Sequence, residues 1–121
     1  MTTTAVLELE FRPGTLTTAH AVLSRVLTET REFDGCLGVE VFEDARNDHR
    51  WVLFERWESI QHDSAYRAYR AGPGAITELG DILASTPALK WTRDFGQGVK
   101  WWVASIMAVE AEGAITDGTT S

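Results

Sequence analysis

The order in which two apolar periodicities alternate along the chain constrains the fold more than any other feature of the sequence. A period of two indicates a strand that is buried on one face, and a period near 3.6 indicates a helix with one buried face. Gly and Pro residues separate the segments, and Thr15 and Ser59 are predicted helix N-caps. The predicted elements are a strand at 6–11, a helix from Thr15 to about Phe33, strands at 36–43 and 51–57 around a polar turn at 44–49, a helix from Ser59 to about Gly72, a helical piece at 76–83 and a strand at 87–95.

This order is β-α-β-β-α-β, which is the ferredoxin-like pattern of an α+β fold. It predicts a four-stranded antiparallel sheet with its helices on one face. The other face would carry Val52 and Phe54, and leaving these apolar side chains in water is unfavourable. Two such sheets that pack face to face would cover them, so the pattern predicts a homodimer.

A chain of 121 residues is long enough for one domain with a real core. We assign residues 1–98 to this domain and residues 99–121 to a C-terminal extension. Residues 99–111 are too apolar to remain free in water, and they are expected to form a docking arm. The small, polar residues that follow are expected to form a flexible tail.

Charge and cysteine content exclude several classes of protein. The chain has 18 acidic and 11 basic side chains, and this net charge of −7 argues against binding to nucleic acid or to an anionic membrane surface. The one cysteine, Cys36, excludes an internal disulfide and a multi-cysteine zinc site. Neither a signal peptide nor an apolar run of the roughly 18 residues that a membrane span needs is evident. We therefore expect a cytoplasmic protein.

Two sequence segments are similar to motifs of a known family. They are Asp-Gly-Cys-Leu-Gly-Val-Glu-Val-Phe at 34–42 and Phe-Glu-Arg-Trp-Glu-Ser at 54–59, immediately before the second helix. Together with the order of elements from Val6 to Phe95, they resemble the antibiotic biosynthesis monooxygenase family. The resemblance implies a dimeric α+β barrel with a pocket between sheet and helices in each protomer. It also implies chemistry of the kind found in that family, whose members include cofactor-independent oxygenases of anthrones and quinols, heme-degrading enzymes and isomerases.

Single positions distinguish among these branches. The heme-degrading branch carries an asparagine on the first strand and a histidine beyond the middle of the second helix. This chain has no asparagine at 6–11, and His62 stands at the start of the second helix, so only Trp57 matches that branch. Relatives that oxidise anthrones carry an amide side chain four residues before the tryptophan, where this chain has Leu53.

Oxygenation without a cofactor makes few chemical demands on a protein. An electron-rich phenol or anthrone must lose a proton before it can pass an electron to dioxygen. The site therefore needs a base, a hydrogen-bond donor for the developing oxyanion, and a dry aromatic pocket. The sequence has neither a glycine-rich dinucleotide motif nor metal ligands at a paired spacing, and we expect no cofactor and no metal.

Three residues are predicted to be catalytic: Trp57, Glu55 and His62. The Trp57 indole can stack on a planar substrate and donate its N–H, although it could equally be a core anchor. Glu55 shares the face of Trp57 on the third strand, and a carboxylate that points toward packed helices would be a base with a raised pKa. Glu40 on the neighbouring strand could lie near it, and an ordinary ion pair with Arg56, Arg67 or Arg70 is the alternative. His62 is a base that titrates near neutral pH.

Further residues are predicted to line the substrate pocket. His20, on the first helix, could face the sheet, and Tyr66 and Tyr69 share one face of the second helix. Packing against the sheet is at least as good an explanation for the tyrosines. The predicted substrate-binding set is His20, Leu53, Tyr66, Tyr69 and Trp91.

Three functional hypotheses follow from these residues. The first is a homodimeric, cofactor-free monooxygenase that uses dioxygen to oxidise a phenolic or polycyclic aromatic small molecule. The second is a cyclase or isomerase that uses the same base and pocket without oxygen. The third is a non-catalytic protein that binds a small molecule, with core aromatic residues and no reaction.

Overall fold

The computed structural model describes residues 2–93, which form a four-stranded antiparallel sheet with helices. The strands lie in the order β2-β3-β1-β4, and β1 pairs with both β3 and β4. This confirms the predicted ferredoxin-like α+β fold. The strands are β1 (Thr3–Glu10), β2 (Cys36–Asp44), β3 (Asn47–Trp57) and β4 (Ala88–Arg93).

Two long helices connect the strands: α1 (Leu16–Arg31) between β1 and β2, and α2 (Ile60–Ala71) after β3. Ser59 caps α2, because its hydroxyl accepts a hydrogen bond from the backbone N–H of His62. Thr15 also occupies the predicted N-cap position of α1, but its side chain donates to the carbonyl of Arg12 and makes no capping hydrogen bond. A single-turn helix, α3 (Leu79–Ile82), is shorter than the helical piece predicted at 76–83.

The helices cover one face of the sheet, and the core lies between them and that face. Alternate residues of β3 point into the core, as the period of two predicts. The buried face of α1 supplies most of the opposing surface. The core residues contributed by these two elements are Trp51, Leu53, Glu55 and Trp57 of β3, and Ala19, Val22, Leu23, Val26 and Leu27 of α1.

A bulge near the start of β2 breaks the predicted alternation of that strand. Cys36 pairs with Trp57 and Gly38 pairs with Arg56, so Leu37 has no partner in the register. Leu37 is consequently half exposed, whereas the alternation predicted it on the same face as Val39. Cys36 packs against the core instead.

The hairpin between β2 and β3 is tighter than predicted. Asp44 pairs with Asn47, which leaves Ala45 and Arg46 as the turn in place of the six polar residues at 44–49. The last two residues of the predicted fourth strand and the whole predicted extension, 99–121, lie outside the described residues.

The face of the sheet opposite the helices carries exposed apolar side chains. Phe42 is 52% exposed, and its ring meets that of Phe54 edge to face with 5.7 Å between centroids. Val52 lies beside them and is partly exposed. These residues are the reason for predicting a face-to-face dimer, which stays a prediction.

Candidate functional site

The candidate site lies where β3 ends and α2 begins, around the side chain of Trp57. This residue is fully buried, and its ring contacts two aromatic rings, Tyr66 of α2 at 4.9 Å and Phe33 at 6.1 Å between centroids. Ala5 of β1 belongs to the same cluster. The indole is thus held on several sides by apolar surface.

The indole N–H of Trp57 has no hydrogen-bond partner of normal geometry among the described residues. The Glu55 carboxylate is close enough for this N–H to lower its pKa, but the pair lies outside hydrogen-bonding geometry. A buried polar group without a partner costs about 1–3 kcal/mol. Such a group in a native structure calls for an explanation, and a bound molecule that accepts the hydrogen bond is one.

Glu55, two residues earlier on the same face of β3, is 3% exposed and pairs with Arg67 of α2. Arg67 also donates to Oδ1 of Asp63 from its Nε at 3.2 Å and its Nη2 at 3.1 Å. Asp63 itself is 1% exposed. Two buried carboxylates therefore share one guanidinium.

Burial raises the pKa of Glu55, because the charged carboxylate loses hydration inside the protein. Arg67 and the Trp57 N–H favour the charged form, but they do not cancel the rise, of which burial is the largest single cause. The negative charge of Asp63 raises the pKa further. Glu55 is therefore a stronger base than an exposed glutamate, as the sequence predicted for a carboxylate facing the helices.

Trp91 of β4 connects this buried cluster to a surface cleft. Its indole Nε1 donates to Oδ2 of Asp63 at 2.7 Å, although half of the Trp91 side chain is exposed. The cleft has a volume of about 510 Å³ and lies between the ends of β1 and β4 and the start of α2. Its described lining residues are Thr3, Ser59, Ile60, Gln61, Trp91, Thr92 and Arg93.

A family model for antibiotic biosynthesis monooxygenases matches residues 2–82, which include β1 to α3 and the whole Trp57 cluster. The chain belongs to the antibiotic biosynthesis monooxygenase family. The match covers more than half of the chain and confirms the resemblance seen in the sequence. No curated protein matches the chain in a sequence comparison.

Solved structures have the same fold as this family member. A Mycobacterium tuberculosis protein, Rv0793, superposes with a TM-score of 0.69 at 23% identity, over 80% of this chain and 98% of its own. A protein from Nitrosomonas europaea that is provisionally named as an antibiotic biosynthesis monooxygenase superposes with a TM-score of 0.71 at 9% identity, over 79% of this chain and 92% of its own. A conserved protein from Methanosarcina mazei superposes with a TM-score of 0.70 at 14% identity, over 78% of this chain and 93% of its own. At such identities the similarity concerns the fold.

His62, the third residue predicted to be catalytic in this family member, lies in the first turn of α2. Its Nδ1 is 2.7 Å from the Ser59 hydroxyl, and its Nε2 is 3.7 Å from the carboxylate of Asp34, which is almost fully exposed. The described contacts of His62 are thus with the helix cap and the preceding turn, and not with the Glu55 carboxylate. Its catalytic role stays a prediction.

The remaining predicted residues are not all brought to this site. His20 is exposed on α1, but its ring lies against Trp51 of β3 and its Nε2 is 3.5 Å from Glu43 of β2, so it meets the sheet away from Trp57. Its role in substrate binding stays a prediction. Leu53 is buried in the larger core cluster. Glu40 cannot meet Glu55, because it pairs with Phe54 and so points to the opposite face of the sheet.

The two tyrosines of α2 pack around Phe33, with ring centroids 5.2 Å away for Tyr66 and 5.4 Å for Tyr69. The Tyr66 hydroxyl is 2.7 Å from that of Thr30, which also bonds the carbonyl of Val26. Arg70 donates to the Tyr66 oxygen at 2.9 Å. The Thr30 hydroxyl donates its hydrogen to the carbonyl of Val26. The Tyr66 hydroxyl therefore donates its own hydrogen to the oxygen of Thr30. Hydrogen bonding within the protein therefore occupies Tyr66, and a role in substrate binding stays a prediction for both tyrosines.

Asp63 is the site residue that sequence reasoning missed. Its signal was a polar stripe along α2, in which Asp63, Tyr66, Arg67 and Arg70 recur at helical spacing. Asp63 and Tyr66 are the buried residues of α2, so this stripe is the face that packs on the sheet. An acidic residue four positions before an arginine within it predicts a pre-formed ion pair.

Two structural observations concern the other function classes. Within residues 2–93, no three or more His, Cys, Asp or Glu side chains come together as a metal site would require. None of the described helices has the length and apolar character needed to cross a membrane. Separately, burial raises the pKa of the Cys36 thiol, because the charged thiolate would lose hydration.

Proposed function

We propose that this family member is a cofactor-free monooxygenase that oxidises a phenolic or polycyclic aromatic molecule, such as an anthrone or a quinol, with dioxygen. One observation carries the proposal: Glu55, a buried carboxylate with a raised pKa, stands beside the buried indole N–H of Trp57, which has no hydrogen-bond partner of normal geometry within residues 2–93. These are the base and the oxyanion donor that the chemistry needs. Family membership supports the reaction type.

For an anthrone the reaction balances as substrate plus dioxygen to anthraquinone plus water. Glu55 takes a proton from the reacting CH₂ carbon, and the carbanion passes one electron to dioxygen. The resulting carbon radical and superoxide combine into a peroxide that takes up the proton. Loss of the second C–H hydrogen with cleavage of the O–O bond releases water and leaves the new carbonyl. One oxygen atom enters the product, and the substrate supplies all the electrons.

The side chains around Glu55 have distinct parts in this scheme. Arg67 fixes the carboxylate and limits the cost of charging it, and Trp57 donates to the oxyanion that forms when the proton leaves. The surrounding rings exclude water, which strengthens both interactions. Glu55 and Trp57 are almost fully buried, so turnover requires the cluster to open toward the cleft, with Trp91 lying between the two.

We further propose that the enzyme acts as a cytoplasmic homodimer. The exposed Phe42 ring and the partly exposed Phe54 ring on the open face of the sheet support this arrangement, since a second copy would cover them. The homodimer also matches the barrel that the family resemblance implies.

The test is oxygen uptake with a hydroxylated anthrone and with a quinol, in the presence of a chelator and without added flavin. Replacing Glu55 by Gln should lower the enzyme-dependent rate by at least about a hundredfold, because the base is lost. Trp57→Phe should lower it by about a hundredfold, because the oxyanion donor is lost.

Matched variants separate chemistry from stability. Trp51→Phe removes a buried indole of the same strand, one whose N–H is satisfied by the carbonyl of Asp48 at 2.8 Å, and should leave turnover intact in the folded fraction. Glu58→Gln removes an exposed carboxylate nearby and should have no effect. Turnover of substrate without oxygen consumption would contradict the proposal and favour the cyclase or isomerase.

A further inference from the structure

The cleft beside the buried cluster has an aromatic wall that is fixed in place. Trp91 is 50% exposed, yet the hydrogen bond of its indole to Asp63 anchors it, and Asp63 is itself held by Arg67. An exposed tryptophan on an edge strand would ordinarily sample several rotamers. A fixed indole presents a flat apolar surface to the cleft, and such a surface suits the stacking of a planar ring.

Arg93 stands two residues further along β4, on the same face as Trp91. It makes no hydrogen bond or ion pair with another described residue. It is also the one charged side chain among the described residues that line the cleft, although acidic residues outnumber basic ones by 18 to 11 in the whole chain. The described lining of the cleft therefore carries one positive charge and no negative charge, although the chain as a whole is acidic.

The other lining groups are neutral. Thr3 lies directly opposite Arg93 in the strand register, and Ser59 and Gln61 add polar groups from the start of α2. Ile60, which is 44% exposed, supplies an apolar rim. None of these described lining residues carries a carboxylate that could compete for the Arg93 guanidinium.

We infer that this cleft binds a planar aromatic anion: a ring system that stacks on Trp91 and carries a carboxylate that pairs with Arg93. The two residues are roughly 7 Å apart along the strand, so a substituent of a stacked ring is within reach of the long Arg93 side chain. A guanidinium pairs with a carboxylate in a bidentate geometry that a single lysine ammonium cannot offer.

The inference names a substrate class for the proposed function. It rests on that function in one respect, which is that the bound anion is taken to be the substrate. An aromatic acid anchored at Arg93 would be oriented before the buried cluster opens. Neutral phenols or anthrones of the same size would bind more weakly.

The experiment measures equilibrium binding of two probes to the full chain by calorimetry, hydroxynaphthoate and the matching neutral hydroxynaphthamide. We expect the carboxylate probe to bind wild type about tenfold more tightly than the amide, with an advantage that shrinks as salt is raised. Arg93→Gln should remove that advantage and leave the amide unchanged. Trp91→Leu should weaken both probes.

Lys90→Gln is the matched control. It removes the same charge from the same strand, but Lys90 pairs with Val6 and lies on the opposite face of the sheet. This variant should bind both probes like wild type. Equal binding of the two probes to wild type, no binding of either, or an equal effect of Lys90→Gln and Arg93→Gln would overturn the inference.

The binding assay does not depend on turnover, so the two proposals fail separately. The expected binding pattern together with no oxygen uptake would support the aromatic-anion site and remove the oxygenase. Oxygen uptake from neutral substrates, with no preference for the carboxylate probe, would support the oxygenase and remove the anion site.

Discussion

At the scale of single residues, the charges around Glu55 contribute to the shift of its pKa. Glu55, Asp63 and Arg67 together carry two negative charges and one positive charge in a nearly dry environment. Asp63 accepts hydrogen bonds from both Arg67 and Trp91. Burial and the neighbouring charge of Asp63 raise the pKa of Glu55, and the pairing with Arg67 only partly offsets this rise.

This balance predicts a pH-dependent stability. The folded pKa of Glu55 lies above its ordinary value of 4.5, so folding favours the protonated acid. The stability that comes from this preference is fully present below pH 4.5 and is lost as pH rises through the folded pKa. Relative to Glu55→Gln, which cannot ionise, wild type should lose free energy of unfolding as pH increases from 4 to 8. Urea unfolding of both proteins across that range measures the difference.

Glu58→Gln serves as the control for that series, since Glu58 is exposed one residue beyond Trp57. Its difference from wild type should stay flat with pH. A difference between wild type and Glu55→Gln that also stays flat would mean that the fold does not shift the pKa of Glu55.

The sequence correctly predicted which residues share a face where the prediction used the two-residue period of a strand. Glu55 and Trp57 were predicted to share the helix-covered face of β3, and they do. His20 does lie against a sheet residue, Trp51, but the sequence could not show that this contact is away from Trp57. Asp63 was missed although its spacing to Arg67 was visible, because its second partner, Trp91, is 28 residues away.

At the scale of elements, the turn from α1 into β2 is built on Gly35. Its φ of 85° lies in the left-handed region that favours glycine. A Cβ at this position would also collide with the ring and the Cβ of His62. The backbone of this turn thus lies directly against α2, and the two elements are fitted to each other through His62.

Two glycines allow strain and crowding to be separated. Gly14 has a similar φ of 81° but nothing within 4 Å of an added Cβ, so Gly14→Ala should cost about 1 kcal/mol from backbone strain alone. Gly35→Ala should cost about 2–4 kcal/mol, because crowding adds to the strain. Urea unfolding of both variants gives the comparison.

Adding His62→Ala to Gly35→Ala should recover about 1 kcal/mol or more relative to the sum of the single changes, because the obstructing ring is gone. Strict additivity, or equal costs at Gly14 and Gly35, would show that His62 does not crowd this turn.

Elements were predictable in type and order, but less so at their ends. The hairpin followed from two alternating runs around a polar segment, yet its turn shrank to two residues because the ladder continues to the pair Asp44 and Asn47. The bulge at Leu37 was not predictable from alternation. It arises because the strand has to start from the tight Gly35 turn and still place Cys36 in the core.

At the scale of the whole molecule, the open face of the sheet leads to a prediction about assembly. Light scattering at micromolar concentration should give the mass of a dimer, and Phe42→Lys combined with Phe54→Lys should give a monomer, because each copy would then bury unpaired charge. Thr17→Lys, which adds a charge on the exposed side of α1, should remain a dimer. A monomeric wild type would remove the face-to-face arrangement.

The proposed reaction inserts one oxygen atom from dioxygen into an aromatic substrate, with Glu55 as the base and no cofactor. Mass spectrometry of the product formed under isotopically heavy dioxygen, with chelator present and product trapped before carbonyl exchange, tests this reaction most directly. Wild type should give one heavy oxygen atom per product molecule, and Glu55→Gln should give almost no product. A product that carries only oxygen from water, or equal product from Glu55→Gln, would contradict it.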